Sequence, residues 1–250
     1  CIGELYHFPG KTYLWRRPGA HPGSHPKIRE TSPQSKDCQI FLSFSGAEFP
    51  LECGPSLRYI AAGSDIIGTN TFVASPLHLE MADHDADDTD KLVTSAVEIA
   101  RVAAEASDRD IYVAGSIGPS PGAIEADAGG TDFGIPNQKV RDAHERVGEK
   151  MVEAGIDLFC LETMFSVIEA VIAVDVVRRF NLPIAVNCTY KYTKDRATGE
   201  IVYKTDWGHS VASLLDLLSG IYPVVQDQII VNPIKICADC FCHMLQSTHQ

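Results

Sequence analysis

The sequence predicts a protein of the α/β class, built on a mainly parallel sheet. Apolar runs of strand length alternate with amphipathic stretches of helix length, and this alternation implies right-handed crossovers between parallel strands. Polar side chains follow several of the strands, at the edge where α/β sheets and barrels place their chemistry. These observations are compatible with a barrel or with a doubly wound sheet. About six strands are predicted, whereas roughly eight would close a barrel.

The composition argues against two classes of partner. The 250 residues carry a net charge of −12, which disfavours binding to nucleic acid. No apolar run reaches the roughly 18 residues that a membrane span needs, and the first residues show no secretory signal, so we expect a cytoplasmic protein. Eight cysteines without such a signal favour thiols for a metal or for catalysis over a disulfide scaffold.

Three segments are expected along the chain. Residues 1–36 are interrupted by Pro and Gly too often for a long helix or strand, so they predict an irregular N-terminal segment. Residues 37–236 carry the strand and helix pattern of the predicted βα domain. Residues 237–250 form a C-terminal tail that is rich in cysteine.

The first half of the βα domain predicts three strands, at residues 39–44, 66–67 and 111–117. A short helix is expected at 57–62 and a longer one at 92–106, where small apolar residues form one stripe. The acidic stretch before the longer helix predicts Thr89 or Asp90 as its N-cap. A long Gly-rich and Asp-rich loop is expected at 120–137, which is typical of a functional connection.

A helix at 137–154 and the buried strand after it form the centre of the pattern. Gly155 predicts the left-handed conformation that ends a helix. The apolar run at 156–161 is typical of a parallel strand that is covered on both faces. Glu162 and Thr163 are then expected at the carboxyl end of that strand.

The second half repeats the alternation. Ser166 is the predicted N-cap of a helix at 167–179. The elements expected after it are a strand at 182–190, a charged turn at 191–200, a helix at 210–218, and strand pieces at 228–231 and 234–236. The sequence Ala-Gly-x-Asp, an apolar run and a polar cluster occur from Ala62 and again from Ala154. Asp65 and Asp157 therefore occupy equivalent positions in two βα units.

Three motifs resemble those of a known family. Asp65-Ile-Ile-Gly-Thr-Asn-Thr-Phe72, Val113-Ala-Gly-Ser-Ile-Gly-Pro119 and Gly155-Ile-Asp-Leu-Phe-Cys-Leu-Glu-Thr163 together resemble the homocysteine S-methyltransferase family, over roughly residues 57–220. The resemblance implies a (β/α)8 TIM-type barrel, which about six strands would leave incomplete. It also implies methyl transfer from a donor to a small-molecule thiol, homocysteine or a related compound.

The same resemblance implies the substrate-binding residues. The glutamate that matches Glu162 contacts the ammonium group of the amino acid in the family. Thr69, Asn70 and Thr71 are expected to line the same mouth of the barrel, and Ser116 to face it from the next strand. Because carboxyl ends of parallel strands share one edge, these side chains are expected to lie together.

The family binds one zinc ion through three cysteine thiolates, one after the sixth strand and an adjacent pair after the eighth. Zinc would lower the pKa of the substrate thiol. Cys188 resembles the first zinc cysteine but lies one strand early, whereas Cys237 lies closer to that place. Cys240 completes a Cys-x2-Cys pair with Cys237. The Gly-Gly-Cys-Cys segment of the family is absent, as is its Asp-Gly-Gly-like turn after the first strand.

Three functions are compatible with these residues. The first is zinc-dependent methyl transfer to homocysteine or a related thiol, with Cys237, Cys188 and Cys240 as metal ligands. The second is a non-catalytic barrel of the same family. The third is a metal-free barrel enzyme that uses Glu162 as a general acid or base. The metal content and the methylation of a thiol distinguish them.

Overall fold

The computed structural model describes residues 39–44, 47–52, 54–129, 133–221 and 229–235. The predicted N-terminal segment and the predicted cysteine-rich tail both lie outside these ranges. The strands are β1 (Gln39–Phe44), β2 (Ala47–Glu52), β3 (Ile66–Gly68), β4 (Tyr112–Ile117), β5 (Leu158–Met164), β6 (Ile184–Lys194), β7 (Ile201–Lys204) and β8 (Ile229–Lys235). The helices are α1 (Gly54–Ala61), α2 (Pro76–Met81), α3 (Asp88–Glu105), α4 (Asn137–Ala154), α5 (Val167–Val177) and α6 (Val211–Ile221).

The predicted α/β class is confirmed by one sheet of parallel strands. Its order is β3-β4-β5-β6-β8, with every neighbouring pair parallel. Helices α3, α4 and α5 pack against these strands and against one another. Five adjacent parallel strands with helices between them are consistent with part of a TIM-type barrel.

The first predicted strand is present but does not belong to this sheet. Gln39–Phe44 pairs antiparallel with Ala47–Glu52 in a separate two-stranded sheet. Only two residues separate β1 from β2, and a connection of that length closes a hairpin, whereas a parallel crossover needs about a dozen residues or more. The parallel sheet therefore has five described strands where about six were predicted.

The charged turn predicted at 191–200 is largely a second hairpin. Strand β6 continues to Lys194 and pairs antiparallel with β7, so that Tyr192 lies opposite Tyr203. Aromatic and β-branched residues favour such an extension. The turn itself is shorter, because the Asp195 carboxylate accepts the backbone N–H groups of Ala197 and Thr198 at 2.9 Å and 3.0 Å.

Two helix starts differ from the predictions. Helix α3 begins at Asp88, and its N-cap is Asp87, which makes no side-chain capping hydrogen bond. The predicted N-caps, Thr89 and Asp90, both lie inside the first turn, because the helix begins about one turn before the small apolar residues that predicted it. The Thr89 side chain is fully buried there. Helix α2 was not predicted, although Ser75 followed by Pro76 is an N-cap signal.

The core lies between the helices and one face of the sheet. Burial alternates along β5, where Phe159 and Leu161 are fully buried among residues of α4 and α5. Gly155 ends α4 with φ 96°, which confirms the predicted left-handed C-cap. This alternation places the two neighbours of Leu161, Cys160 and Glu162, on the opposite face.

The repeated Ala-Gly-x-Asp pattern corresponds to a repeated local structure. Each aspartate immediately precedes a strand and pairs with an arginine from α3 or from the turn after it. Arg101 contacts Asp157 at 2.7 Å, and Arg109 contacts Asp65 at 2.5 Å. Asp157 also accepts the backbone N–H of Val113 at 2.8 Å, which ties the start of β5 to β4.

Candidate functional site

The candidate site lies on the face of the parallel sheet that the helices do not cover, called the inner face here. The strand register aligns Ser116 of β4 with Cys160 of β5, and Cys160 with Ala185 of β6. Because directly paired residues of parallel strands point to the same side, these positions share one face. The inner face carries Ala114, Ser116, Cys160, Glu162, Ala185 and Asn187.

Glu162 and Ser116 lie together, as the sequence predicts. The Ser116 hydroxyl donates a short hydrogen bond to Glu162 Oε1 across β4 and β5. Ser116 is buried and Glu162 is half-buried, so the carboxylate is oriented by protein while part of it stays accessible. A carboxylate held in this way at the end of a parallel strand is suited to bind a cationic group.

The backbone around Glu162 is irregular. Strand β5 was predicted to end at Leu161, but it continues to Met164 and shifts register against β6 between these two residues. Thr163 adopts φ 60°, the left-handed region that a β-branched residue rarely occupies. Bulges and strained residues of this kind are over-represented next to active sites, where they re-aim a side chain. Here the irregularity immediately follows Glu162.

Thr69 and Thr71 lie beside Ser116 but are occupied by contacts within the protein. The Thr71 hydroxyl donates to the Ser116 carbonyl oxygen at 2.6 Å, and Thr69 Oγ1 accepts the Ser116 N–H at 3.0 Å. The two hydroxyls are 2.7 Å apart, so the Thr69 hydroxyl donates to Thr71. Both residues are buried. They brace the end of β3 against β4, and their role in binding substrate stays a prediction.

Asn70 and the glycines of the β4 motif have different surroundings. Asn70 is exposed after the end of β3, where a ligand can reach it. Protein atoms fill the space beside Gly115 and Gly118. A Cβ atom on Gly115 would lie 2.7 Å from Met151 Sδ, and one on Gly118 would lie 2.5 Å from the Phe72 carbonyl oxygen.

Asn187 and Cys160 extend the inner face beyond Glu162, and the sequence reasoning did not identify them as site residues. Asn187 Nδ2 lies 3.7 Å from Cys160 Sγ. Burial raises the pKa of the Cys160 thiol to about 12, with a further contribution from the negative charge of Glu162, while the Asn187 contact opposes the shift. The signal for both residues is the alternation of buried and half-buried positions along β5 and β6.

Cys188 lies on the other face of the sheet. It is 1% exposed and packs in the core with Val186 and Tyr190. Burial raises the pKa of its thiol to about 11, and the neighbouring Tyr190 lowers it in part. Strand geometry explains the position, because Cys188 is one residue after Asn187 and successive side chains of a strand alternate between faces.

The described residues do not fit the three-thiolate zinc site that the family resemblance implies. Their two cysteines, Cys160 and Cys188, point to opposite faces of the sheet and cannot share one ion. Within the described ranges, no group of three or more His, Cys, Asp or Glu side chains is arranged to hold a metal ion. Cys237 and Cys240 lie outside the described residues. Among the helices that are described, none is long and apolar enough to span a bilayer.

Comparison with solved structures identifies proteins of similar fold. The chain resembles the homocysteine methyltransferase MmuM from Escherichia coli. Against its metallated form the TM-score is 0.55 at 19% identity, covering 78% of this chain and 75% of that one. Against the oxidized form it is 0.56 at 21% identity, covering 72% and 60%. These similarities show the shared fold.

A family model gives the more specific result. The model of homocysteine S-methyltransferases matches residues 56–235, which is more than half of the chain. The match includes every described inner-face residue and the three motifs that carried the resemblance. The chain therefore belongs to the homocysteine S-methyltransferase family.

Proposed function

We propose that this protein transfers a methyl group to the sulfur of homocysteine or a related small thiol. The observation that carries the proposal is the half-buried carboxylate of Glu162, oriented by Ser116 on the inner face. Family membership supplies the reaction class. The carboxylate supplies a place for the ammonium group of an amino acid, because a charged hydrogen bond of this kind is stronger than a neutral one.

The residues of the inner face would bind and orient the thiol. Glu162 accepts hydrogen bonds from the substrate ammonium group, and the bond from Ser116 keeps the carboxylate in one orientation. In the reaction, the substrate thiol loses its proton to solvent, its sulfur forms a bond to the methyl carbon, and the donor retains the electron pair of the bond that breaks. The donor belongs to a sulfonium, ammonium, folate or corrinoid class.

A more specific part of the proposal is that the methyl transfer depends on zinc. In the family, zinc lowers the pKa of the substrate thiol. Cys188 is separated from the inner face by the sheet itself. The other two predicted ligands, Cys237 and Cys240, lie outside the described residues.

The test is methylation of homocysteine by the purified protein, with Glu162→Gln as the variant. Loss of a charged hydrogen bond worth about 1.5–3 kcal/mol predicts a fall in kcat/KM of about 10- to 100-fold. With 4-mercaptobutyrate, which lacks the ammonium group, wild type and variant should have similar kcat/KM. Product formation is followed by mass spectrometry with one donor from each class.

Glu153→Gln is the matched control, since Glu153 is an exposed carboxylate on α4 that pairs with Lys150. This variant should methylate homocysteine as the wild type does. If no donor supports methylation, and homocysteine binds wild type and Glu162→Gln equally, the proposal is wrong. The non-catalytic reading would then be favoured.

A further inference from the structure

Glu169 and His144 form a buried acid–imidazole pair outside the inner face. Their side chains are 0% and 3% exposed, and His144 Nε2 lies 3.2 Å from Glu169 Oε1. The same carboxylate oxygen accepts the backbone N–H of Ser120 at 2.6 Å. Burying a carboxylate is costly unless hydrogen bonds or opposite charge stabilise it. Hydrogen bonding is provided here, because the Ser120 N–H of the loop after β4 donates to Glu169 Oε1 and His144 Nε2 of α4 lies within hydrogen-bond distance of it.

Glu169 also sits at the start of α5 in an altered capping box. Ser166 is the N-cap, and its hydroxyl accepts the Glu169 N–H at 3.0 Å. In the usual Ser-x-x-Glu box, the glutamate side chain bonds back to the N-cap residue. Here the carboxylate reaches the neighbouring loop at Ser120. The first turn of α5 is thereby tied to the segment that follows β4.

Segments that follow other strands converge on the same carboxylate. Burial lowers the pKa of His78, on α2 after β3, while Glu169 raises it and His144 lowers it further. Burial raises the pKa of Asp127, in the loop after β4, and Glu169 adds to that shift, whereas Ser166 and His209 oppose it. His209 precedes α6. The connections after β3 and β4 therefore each bring a titratable group near Glu169, while His209 interacts with Asp127.

A short buried path leads from this anchor to the candidate site. Ser120 is four positions after Ser116, and every residue from 116 to 120 is buried. Gly118, in the middle of the path, donates its N–H to the Phe72 carbonyl at 3.2 Å and packs against that residue. A displacement of Ser120 would be transmitted to Ser116, because close-packed segments leave little room for local adjustment.

We propose that Glu169, held by His144, is a positioning residue for the inner-face site. It fixes the loop after β4 through the Ser120 N–H, so that Ser116 stays against Glu162. The effect of this role on the kinetics of methyl transfer rests on the proposed function. Its effect on the structure of the loop after β4 does not. Glu169 does not contact the substrate in this proposal, and it acts through Ser120 and Ser116.

The structural consequence is tested by hydrogen–deuterium exchange of the peptide that covers residues 116–128. Glu169→Ala removes the acceptor of the Ser120 N–H, so exchange of this peptide should accelerate about tenfold or more. Glu169→Gln keeps an acceptor oxygen and should restore exchange to within about threefold of wild type. Ser120→Ala keeps the backbone N–H and should exchange like wild type. If Glu169→Ala does not fold, Glu169→Asp withdraws the acceptor and should show the same acceleration.

The kinetic consequence separates positioning from a merely structural role. In Glu169→Ala, the KM for homocysteine should rise about tenfold while kcat per folded molecule stays within about threefold. Glu149→Gln, an exposed carboxylate of α4 paired with Arg179, is the control and should leave both constants unchanged. A lower melting temperature with unchanged exchange at 116–128 and unchanged KM would overturn the inference. If wild type methylates no thiol, the proposed function fails while the exchange experiment still decides the positioning role.

Discussion

Thr163 has a backbone conformation that is unfavourable for its residue type. Its φ of 60° is unfavourable for a β-branched side chain, by about 1–3 kcal/mol in positions of this kind. The side chain is exposed, so no packing is lost when it is removed. Thr163→Gly should therefore raise the free energy of unfolding by about 1 kcal/mol, measured by urea denaturation.

Thr163→Ala is the matched control for this prediction. Alanine retains the Cβ atom and its steric conflict at positive φ, so it should gain less stability than glycine. Equal stability of the two variants would show that the conformation is not strained. If the irregular backbone at Thr163 orients Glu162, the glycine variant should also have a lower kcat/KM for homocysteine. Stability and the precise orientation of side chains commonly oppose each other at functional sites.

Cys188 gives the protein a predictable sensitivity to alkaline pH. Burial raises the pKa of its thiol from an ordinary 9.0 to about 11. The unfolded chain therefore releases the thiol proton at a lower pH than the folded chain. The stabilisation by the neutral thiol is complete below pH 9 and is lost as the pH rises from about 9 to about 11, at about 1.4 kcal/mol per pH unit.

The measurement compares urea unfolding of wild type and Cys188→Ala between about pH 8 and pH 11. Because Cys188 and Tyr190 interact, the difference between the two proteins reports the thiol together with that interaction. That difference should shrink as the pH rises. A constant difference across the range would show that the Cys188 thiol is not shifted.

At the scale of elements, the two Ala-Gly-x-Asp units share geometry but differ in burial. The ion pair of Asp157 with Arg101 has side chains 14% and 20% exposed, whereas that of Asp65 with Arg109 is 65% and 40% exposed. Asp157→Ala removes the acceptor of the Val113 N–H and the carboxylate that pairs with Arg101, and should cost about 2–3 kcal/mol. Asp65→Ala should cost less than about 1 kcal/mol.

Urea unfolding of the two variants checks this contrast directly. The pair is internally matched, since the same substitution is made at equivalent positions of one motif. Similar losses of stability would mean that burial does not set the contribution of these pairs. Loss of Asp157 should also increase the unfolding rate of the β4–β5 unit, because the carboxylate joins the two strands.

Elements with strong local signals were predicted well. Helix α4 has the predicted bounds, Asn137–Ala154, because Gly155 fixes its end and Pro136 precedes its start. Strand β5 and the β6–β7 hairpin were predicted too short, because pairing with a neighbouring strand extends both. Such pairing is a tertiary effect that local propensity does not contain.

For the molecule as a whole, the parallel pairing of the strands could be predicted, whereas the facing of side chains could be predicted only in part. The contact between Ser116 and Glu162 follows from the shared edge of parallel strands. Cys160 and Asn187 require the register of β5 against β6, which shifts at the irregularity. Cys188 resembled a zinc ligand in sequence, yet a displacement of one residue along β6 places it on the helix-covered face.

This placement leads to a prediction about metal binding by the whole chain. Purified protein should carry about one zinc ion per chain if the Cys-x2-Cys pair of the tail replaces the family's adjacent pair. Zinc content, measured by atomic emission, should then fall in Cys237→Ser and Cys240→Ser. Cys188→Ser should retain zinc, because its sulfur is buried opposite the inner face. Loss of zinc in Cys188→Ser, with the protein still folded, would show that β6 presents its other face to the site.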